Sequence, residues 1–270
     1  YNPKRSTRAR NAREKGLEPL ALLIVDQPVT NETAEAIARR FVGGDVGTID
    51  EALAGARDVV AEMVSDHAAV RHSLRERAQK NAMLRVQQSD KAPDEKGTYQ
   101  LYYDFAIPVS RLRPHQVLAI NRGETEQALK VTVDIDDTDM LLAMRTAFRP
   151  NRRSPLAAEL EAAMDDGARR LLGPSIERDV RRHLTTTAET HAIAVFAGNL
   201  RALLGQPPLA GRVILGIDPG FRTGCKAAVI DITGRVIDTA TIYPHAPQNK
   251  WAEAREKLRQ LIQKHGVTLI

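Results

Sequence analysis

The sequence predicts a mainly α-helical region that carries a small β-containing insert and is followed by the first half of an α/β domain. Apolar residues recur every three or four positions through most of residues 17–204, which is typical of amphipathic helices. Residues 82–136 show strand-like alternation instead, and residues 212–270 combine apolar strands with one amphipathic helix. We therefore expect two domains, at 1–208 and 209–270.

The helical region is predicted to begin with four helices. Pro19 suits the first turn of a helix that starts near residue 17, because a proline lacks the N–H that has no partner there. The run Thr48-Ile49-Asp50-Glu51 is a capping box, since a threonine precedes a glutamate by three residues, and it predicts a helix that continues to about residue 64. Two further helices are predicted over 30–41 and 66–80.

The insert is predicted to contain three strands and one short helix. Residues 129–135 alternate between apolar and polar side chains, which is the period of a half-buried strand. Shorter strand-like runs occur at 83–86 and 99–105. Ser110 suits the N-cap of a helix over 112–122, because its hydroxyl can accept a hydrogen bond from a free backbone N–H.

Three helices are predicted after the insert, over 139–147, 156–172 and 176–204. The last would be roughly 40 Å long at about 1.5 Å per residue. Its apolar stripe is expected to be buried along its whole length and consists of Ile176, Val180, Leu184, Ala188, Ala192, Phe196, Leu200 and Leu203. The run Gly205-Gln206-Pro207-Pro208 ends this helix and marks the domain boundary.

The second domain opens with a strand over 213–217, which is apolar on both faces and is therefore expected to be buried and central. Strands over 225–231 and 236–243 follow, then a helix over 251–264 and the start of a fourth strand at 267. This order matches the first half of a ribonuclease H-like fold. The unfinished domain, and a tyrosine rather than a methionine at residue 1, lead us to expect a fragment of a longer protein.

Asp218 ends the first strand of this domain and is followed by Pro219-Gly220. A carboxylate held at the end of a buried strand suits a Mg²⁺-dependent nuclease or resolvase, in which the metal ion activates water and stabilises the transition state. Asp218 is thus the candidate catalytic and metal-binding residue, with further acids required from later elements. The alternative is an aspartate that accepts hydrogen bonds from the backbone of a turn. Asp231 and Asp238 are expected near the strand turn, facing solvent.

An actin-like ATPase also opens with a strand that ends in aspartate and glycine. The sequence Gly220-Phe221-Arg222 departs from the glycine and hydroxyl residues that such ATPases use to contact phosphate. No phosphate-binding loop of the Walker type occurs. The residues therefore leave the question of enzymatic activity open.

Composition excludes several classes of protein. The chain has 270 residues, of which 43% are hydrophobic and 27% charged, as in an ordinary globular protein. No apolar run approaches the roughly 18 residues of a membrane span. The single cysteine, Cys225, excludes an internal disulfide and a cysteine-rich zinc site, and it fits a reducing cytoplasm. We expect no cofactor, except Mg²⁺ where a complete ribonuclease H-like site exists.

The charge balance permits nucleic-acid binding but does not require it. The net charge is +5, and the chain contains 29 arginines against 10 lysines. The planar guanidinium group matches phosphate and stacks on bases, although a GC-rich genome produces the same excess of arginine. Basic side chains cluster in residues 1–15 and in the turn 149–153. The candidate nucleic-acid-binding residues are Lys4, Arg5, Arg8, Arg10, Arg13, Lys15, Arg149, Arg152, Arg153 and Arg222.

Several segments resemble the bacterial Tex family of transcription accessory, RNA-binding proteins, and the resemblance covers nearly the whole chain. The segments are REKGLEPLA at 13–21, RGE at 122–124, RLLGPSIE at 170–177, VFAGNLR at 195–201 and LGIDPGFRTGCK at 215–226. The last two are long and specific. Asp218 falls on the first acidic position of the RuvC resolvases, which the YqgF-type ribonuclease H-like domain of the family resembles.

The resemblance implies a longer protein with a helical N-terminal region, a YqgF domain, helix-hairpin-helix modules and a C-terminal OB-fold that binds RNA. It implies a cytoplasmic scaffold in transcription or RNA metabolism, which binds RNA and also DNA, contacts RNA polymerase or the ribosome, avoids membranes and is monomeric at full length. Members of the family are generally viewed as nucleic-acid binders without nuclease activity. Two alternatives stay open: a nuclease built on Asp218, and a scaffold that binds only proteins.

Overall fold

A computed structural model describes residues 7–90, 94, 96–207, 209–220 and 222–270. The chain forms two compact units, Tyr1–Phe196 and Ala197–Ile270. Helices dominate, and each unit contains one three-stranded antiparallel sheet, so the predicted fold class is confirmed. None of the described helices combines the length and the apolar character that a bilayer crossing requires.

The first unit begins with five helices: α1 (Arg8–Glu14), α2 (Glu18–Asp26), α3 (Ala34–Ala38), α4 (Ile49–Asp66) and α5 (Ala68–Asn81). The hydroxyl of Thr48 caps α4 by accepting a hydrogen bond from the backbone N–H of Glu51 at 3.1 Å, as the sequence predicts. The helix predicted over 30–41 is shorter than expected. Thr33 caps α3 at its start, and Arg39–Phe41 continues it as a 3₁₀ turn.

The insert contains β1 (Met83–Gln88), β2 (Asp104–Pro108), α6 (Pro114–Thr125) and β3 (Leu129–Asp134). The strands form an antiparallel sheet in the order β2-β1-β3, in which Leu84 lies opposite Ile107 and Val133. The strand predicted from residue 99 begins only at Asp104. Ser110 does not cap α6, because its hydroxyl donates to the carbonyl oxygen of Lys80 at 3.1 Å.

Three helices follow the insert: α7 (Asp137–Phe148), α8 (Ala157–Gly167) and α9 (Gly173–Leu204), with a π-helical turn over Ala168–Leu172. Helix α9 continues past Phe196, the last residue of the first unit. The core lies around α4, which packs against α1, α2 and α8. The apolar stripe of α9 is buried at Ile176, Val180 and Ala188. Farther along the helix it is exposed, so the expectation of complete burial is wrong. At about 1.5 Å per residue, this 32-residue helix extends beyond the core that covers its first turns.

The second unit contains β4 (Ile214–Asp218), β5 (Cys225–Ile230), β6 (Val236–Ile242) and α10 (Trp251–His265). The strands pair in the order β4-β5-β6, and Leu269 forms a parallel bridge on the other side of β4. Strand order and helix position agree with the prediction. Only one face of the sheet is covered, because α10 packs on Leu215, Ala227 and Val229. The expectation that β4 is buried on both faces is therefore wrong.

Candidate nucleic-acid interface

A short basic turn connects α7 to α8 and is anchored by one buried side chain. Gln27, at the end of α2, is only 7% exposed. Its carbonyl oxygen accepts a hydrogen bond from the backbone N–H of Asn151 at 3.3 Å, and its amide nitrogen donates to the carbonyl oxygen of Leu156 at 3.2 Å. Gln27 thus joins both ends of the turn to α2, a role that the sequence analysis missed.

Hydrogen bonds inside the turn hold its backbone in one conformation. The side chain of Asn151 accepts from the backbone N–H of Arg153 at 3.1 Å, and the buried hydroxyl of Ser154 accepts from the N–H of Leu156 at 3.2 Å. The side chains of Arg149, Arg152 and Arg153 are exposed, and none forms an ion pair within the part of the chain that the structure describes. The turn therefore presents three guanidinium groups to solvent on a fixed backbone.

Some basic side chains of the N-terminal cluster pair with carboxylates of the same unit. Arg10 pairs with Glu14 at 2.9 Å and Arg13 with Glu62 at 2.6 Å. The hydrogen bond that Arg13 donates to the carboxylate of Glu62 raises the pKa of the Arg13 guanidinium above its usual value. The side chains that stay exposed, with no ion pair to a described residue, are Arg8 and Lys15. Lys4 and Arg5 lie outside the described residues.

The structure does not bring the two basic segments together. Arg13, at the end of α1, approaches Glu18 at the start of α2 to 3.4 Å. The basic turn is anchored by Gln27 at the opposite end of α2. Because α2 has nine residues, about 13 Å of helix separates the two anchoring points.

Many arginines of the first unit connect its helices. Arg71 and Arg75 both contact the carboxylate of Asp179, at 3.1 and 2.9 Å, and Arg170 contacts Asp58 at 2.9 Å. Further pairs between elements are Arg57–Glu159, Arg77–Asp139 and Arg181–Glu124. The high arginine content therefore serves the tertiary structure to a large extent.

The net positive charge lies in the second unit. The first unit contains 29 basic and 29 acidic residues, whereas the second contains 10 basic and 5 acidic ones, so the second unit carries the whole net charge of +5. Its arginines form no ion pair with a described residue: Arg201, Arg212, Arg222, Arg235, Arg255 and Arg259. The basic clusters near residues 1–15 and 149–153 lie in the first unit, whose charges balance. The shortage of acidic residues after residue 196 is the sequence signal that indicates the basic second unit.

Asp218 lies at the end of β4, on the face of the sheet that α10 does not cover. Its side chain is exposed, and its partner in the antiparallel register is Lys226 of β5. Thr239 and Thr241 line the same open face. Arg222 is exposed in the turn between β4 and β5. This edge of the sheet therefore combines one carboxylate with basic and hydroxyl groups.

The described residues do not fit a Mg²⁺ ion at Asp218. In the part of the chain that the structure describes, no three His, Cys, Asp or Glu side chains lie close enough to bind one metal ion. Directly opposed residues in an antiparallel pair have Cβ atoms about 5 Å apart, so the ammonium group of Lys226 opposes binding of a divalent cation beside Asp218.

Asp238 does not face solvent as expected but joins β6 to the end of α10. Its carboxylate accepts a hydrogen bond from Nζ of Lys264 at 2.9 Å and lies 2.7 Å from Nε2 of His265. The hydrogen bond from Lys264, followed by that from His265, holds the pKa of Asp238 well below its usual range. The charged form of Asp238 therefore stabilises the second unit.

We expect Asp238→Asn to destabilise the second unit at neutral pH but not in strong acid. Because the pKa of Asp238 is lowered in the folded state, its contribution is complete above the ordinary aspartate pKa of about 3.9 and is lost as the pH falls below that value. Urea unfolding, followed by the emission of Trp251 at pH values from neutral to strongly acidic, measures the effect. A difference between variant and parent that is constant with pH would contradict the assignment.

Comparison with known protein families gives two matches. The family described as "Tex central region-like" matches residues 30–196, which is more than half of the chain. The family described as "Tex protein YqgF-like domain" matches residues 212–270. The two matches fall on the helical region and on the second unit, respectively.

Individual relatives show the same similarity. The chain is 39% identical to YdcI of Bacillus subtilis over its full length and covers 38% of that protein. It is 32% identical to the transcriptional accessory protein Tex of Neisseria gonorrhoeae, again over its full length, and covers 36% of that protein. It is 31% identical to S1 RNA-binding domain-containing protein 1 of Homo sapiens over 96% of its length and covers 27% of that protein. The chain thus spans little more than a third of the bacterial relatives.

Proposed function

The chain belongs to the Tex family, and from that premise we propose that it binds single-stranded nucleic acid, RNA above all, as part of a transcription accessory protein. The names of the relatives support this proposal, since one is a transcriptional accessory protein and another is described by an S1 RNA-binding domain. The proposed role is that of a cytoplasmic scaffold in transcription or RNA metabolism, with RNA polymerase or the ribosome as protein partners. The proposal includes no catalytic step.

The observation that carries the proposal is the excess of unpaired positive charge in the second unit. Six arginines there form no ion pair with a described residue, although Arg235 lies close enough to Asp231 to help lower the pKa of that carboxyl group. The unit has twice as many basic as acidic residues. Unpaired guanidinium groups bind phosphates and release condensed counterions, which gives affinity that depends on salt and hardly on sequence. The basic turn of the first unit adds three further groups of the same kind.

Fluorescence anisotropy of the 270-residue chain with labelled single-stranded RNA, single-stranded DNA and duplex DNA tests the proposal. We expect binding to single strands that weakens steeply between about 50 and 200 mM salt. Absence of binding to all three at low salt would contradict the proposal. Capture of a protein partner that survives nuclease treatment would then favour the scaffold that binds only proteins.

We expect replacement of Arg149, Arg152 and Arg153 by glutamine to reduce the salt dependence of binding. If each arginine contacts one phosphate, the slope of log affinity against log salt becomes less steep by about 2 for single strands. The matched control replaces Arg10, Arg40 and Arg122, which are also exposed but already pair with Glu14, Glu32 and Glu126. Equal slopes for the two triple variants would exclude the basic turn from the interface.

A further inference from the structure

Helix α10 and the end of β6 form an apolar groove in the second unit, with a volume of about 430 Å³. This volume falls within the roughly 300–1,000 Å³ that is typical of small-ligand sites. The apolar side chains in its wall include Ile242, Leu258 and Ile262. Trp251, the single tryptophan of the chain, also lines the groove and is 65% exposed. A large aromatic side chain left exposed beside an apolar groove indicates a binding surface.

Two arginines lie on the same side of α10 as Trp251. Positions 251, 255 and 259 are spaced by four residues, so their side chains follow one another along one side of the helix. Arg255 and Arg259 both line the groove, and within the described residues neither has an ion-pair partner. The groove therefore has an aromatic surface at one end and two available guanidinium groups beside it.

Neither acidic residue of α10 forms an ion pair with these arginines. The carboxylate of Glu253 pairs with Nζ of Lys250 at 3.1 Å, and Glu256 accepts a hydrogen bond from Gln260 at 3.4 Å. Both glutamates lie roughly 140° or more round the helix from Trp251, given 3.6 residues per turn. Glu253 therefore lies away from the groove, whereas Glu256 precedes Arg259 by three residues and is its neighbour on the helix surface without forming an ion pair with it.

From this arrangement we infer that the groove binds a nucleotide of single-stranded nucleic acid, with the base stacked on Trp251 and the neighbouring phosphates held by Arg255 and Arg259. The inference rests on the proposed function and assigns it a position on the second unit. Every base has an aromatic face, so stacking on an indole is tolerant of sequence. The guanidinium groups add charged hydrogen bonds to phosphate oxygens.

The charge favours a nucleic acid over a protein segment as the occupant. An apolar peptide would bury the walls of the groove but would leave both guanidinium groups without an anionic partner. A strand of nucleic acid satisfies the aromatic surface and the charges together, which is how proteins hold single strands without reading their sequence. The net charge of +5 on the second unit acts in the same direction, because it attracts a polyanion from a distance.

The emission of Trp251 reports directly on the groove, since the chain contains no other tryptophan. We propose to titrate the 270-residue chain with a short oligouridylate while recording Trp251 emission, and to measure the anisotropy of the same labelled oligonucleotide in parallel. We expect the oligonucleotide to quench the emission, with the same midpoint concentration in the fluorescence and anisotropy titrations. An abasic oligomer with the same number of phosphates should bind more weakly and leave the emission unchanged.

Variants of α10 distinguish the groove from general attraction. We expect Trp251→Ala to weaken binding about fivefold or more, the loss typical of removing one stacking platform. Arg255→Gln and Arg259→Gln should each weaken binding and lower its salt dependence. Lys257→Gln is the matched control, because it removes the same charge from an exposed position on the opposite side of α10. Since Trp251 is exposed, thermal unfolding of these variants should match that of the parent.

Three results would overturn the inference. Binding by anisotropy without quenching, and with full affinity in Trp251→Ala, would remove the groove from the interface and leave the proposed function intact. Quenching by an acidic peptide such as oligoglutamate, but not by the oligonucleotide, would assign the groove to a protein ligand. Absence of any binding by anisotropy would overturn the proposed function and this inference together.

Discussion

Replacement of Gly224 by alanine is expected to destabilise the second unit by about 2–4 kcal/mol, because a left-handed backbone and overpacking each contribute. Gly224 has a φ of +83° in the turn between β4 and β5, where a side chain is strained. A Cβ atom there would lie 2.6 Å from the ring of Tyr243 and 2.8 Å from Cγ2 of Thr241. Thr241 is β-branched and lies on β6, so it has few rotamers with which to yield.

Gly234→Ala is the matched control for this effect. Gly234, in the turn between β5 and β6, has a φ of +87°, but no atom lies within 4 Å of the position of its missing Cβ. Gly234→Ala therefore carries the backbone strain alone, about 1–2 kcal/mol. Urea unfolding followed by Trp251 emission measures both variants. Equal losses in the free energy of unfolding would show that Tyr243 and Thr241 accommodate the added methyl group without strain.

Replacement of Gln27 by alanine is expected to destabilise the first unit by about 1–3 kcal/mol and to release the basic turn. The change leaves the backbone N–H of Asn151 without a partner, and an unsatisfied buried donor costs about 1–3 kcal/mol. The carbonyl of Leu156 keeps the hydrogen bond from the N–H of Leu160. The amide of Asn151 should exchange faster with solvent hydrogen. The exposed side chains of Arg149, Arg152 and Arg153 would then lose their fixed spacing.

Gln127→Ala is the control for this prediction. Gln127 is also a glutamine in the left-handed conformation, with a φ of 61° against 52° at Gln27, but its side chain is exposed. Because the backbone strain is similar, the difference between the two variants isolates the buried hydrogen bonds. Urea unfolding followed by far-ultraviolet circular dichroism and hydrogen exchange at Asn151 provide the measurements. Similar unfolding curves and unchanged exchange would show that Gln27 does not anchor the turn.

The elements that the sequence predicts well are those determined by neighbouring residues. The threonine at residue 48 marks the start of α4, because its hydroxyl accepts a hydrogen bond from the free backbone N–H of Glu51, only three residues away. Alternation over 129–135 identifies β3, and the order of strands and helix after residue 212 is confirmed. Local geometry decides these features.

The predictions that are wrong concern which apolar residues are buried by the rest of the fold. Repetition of apolar residues along α9 does not tell how far the core extends, and Phe196 and Leu203 are 66% and 62% exposed. The same holds for Ile217 on β4, which is 41% exposed although it belongs to the apolar run 213–217. Burial depends on partners distant in sequence, and those partners leave no periodic signal in the segment itself.

The candidate site shows the same division. The sequence by itself determines the positions of the basic residues, the family resemblance and the Asp218 motif, because these depend only on residue identity and order. Tertiary structure alone decides which charges are available: Arg10 and Arg13 have acidic partners, whereas Arg149, Arg255 and Arg259 have none among the described residues. The physical reason is that a carboxylate within a few ångströms offsets much of the attraction between a guanidinium group and a phosphate, and folding sets that distance.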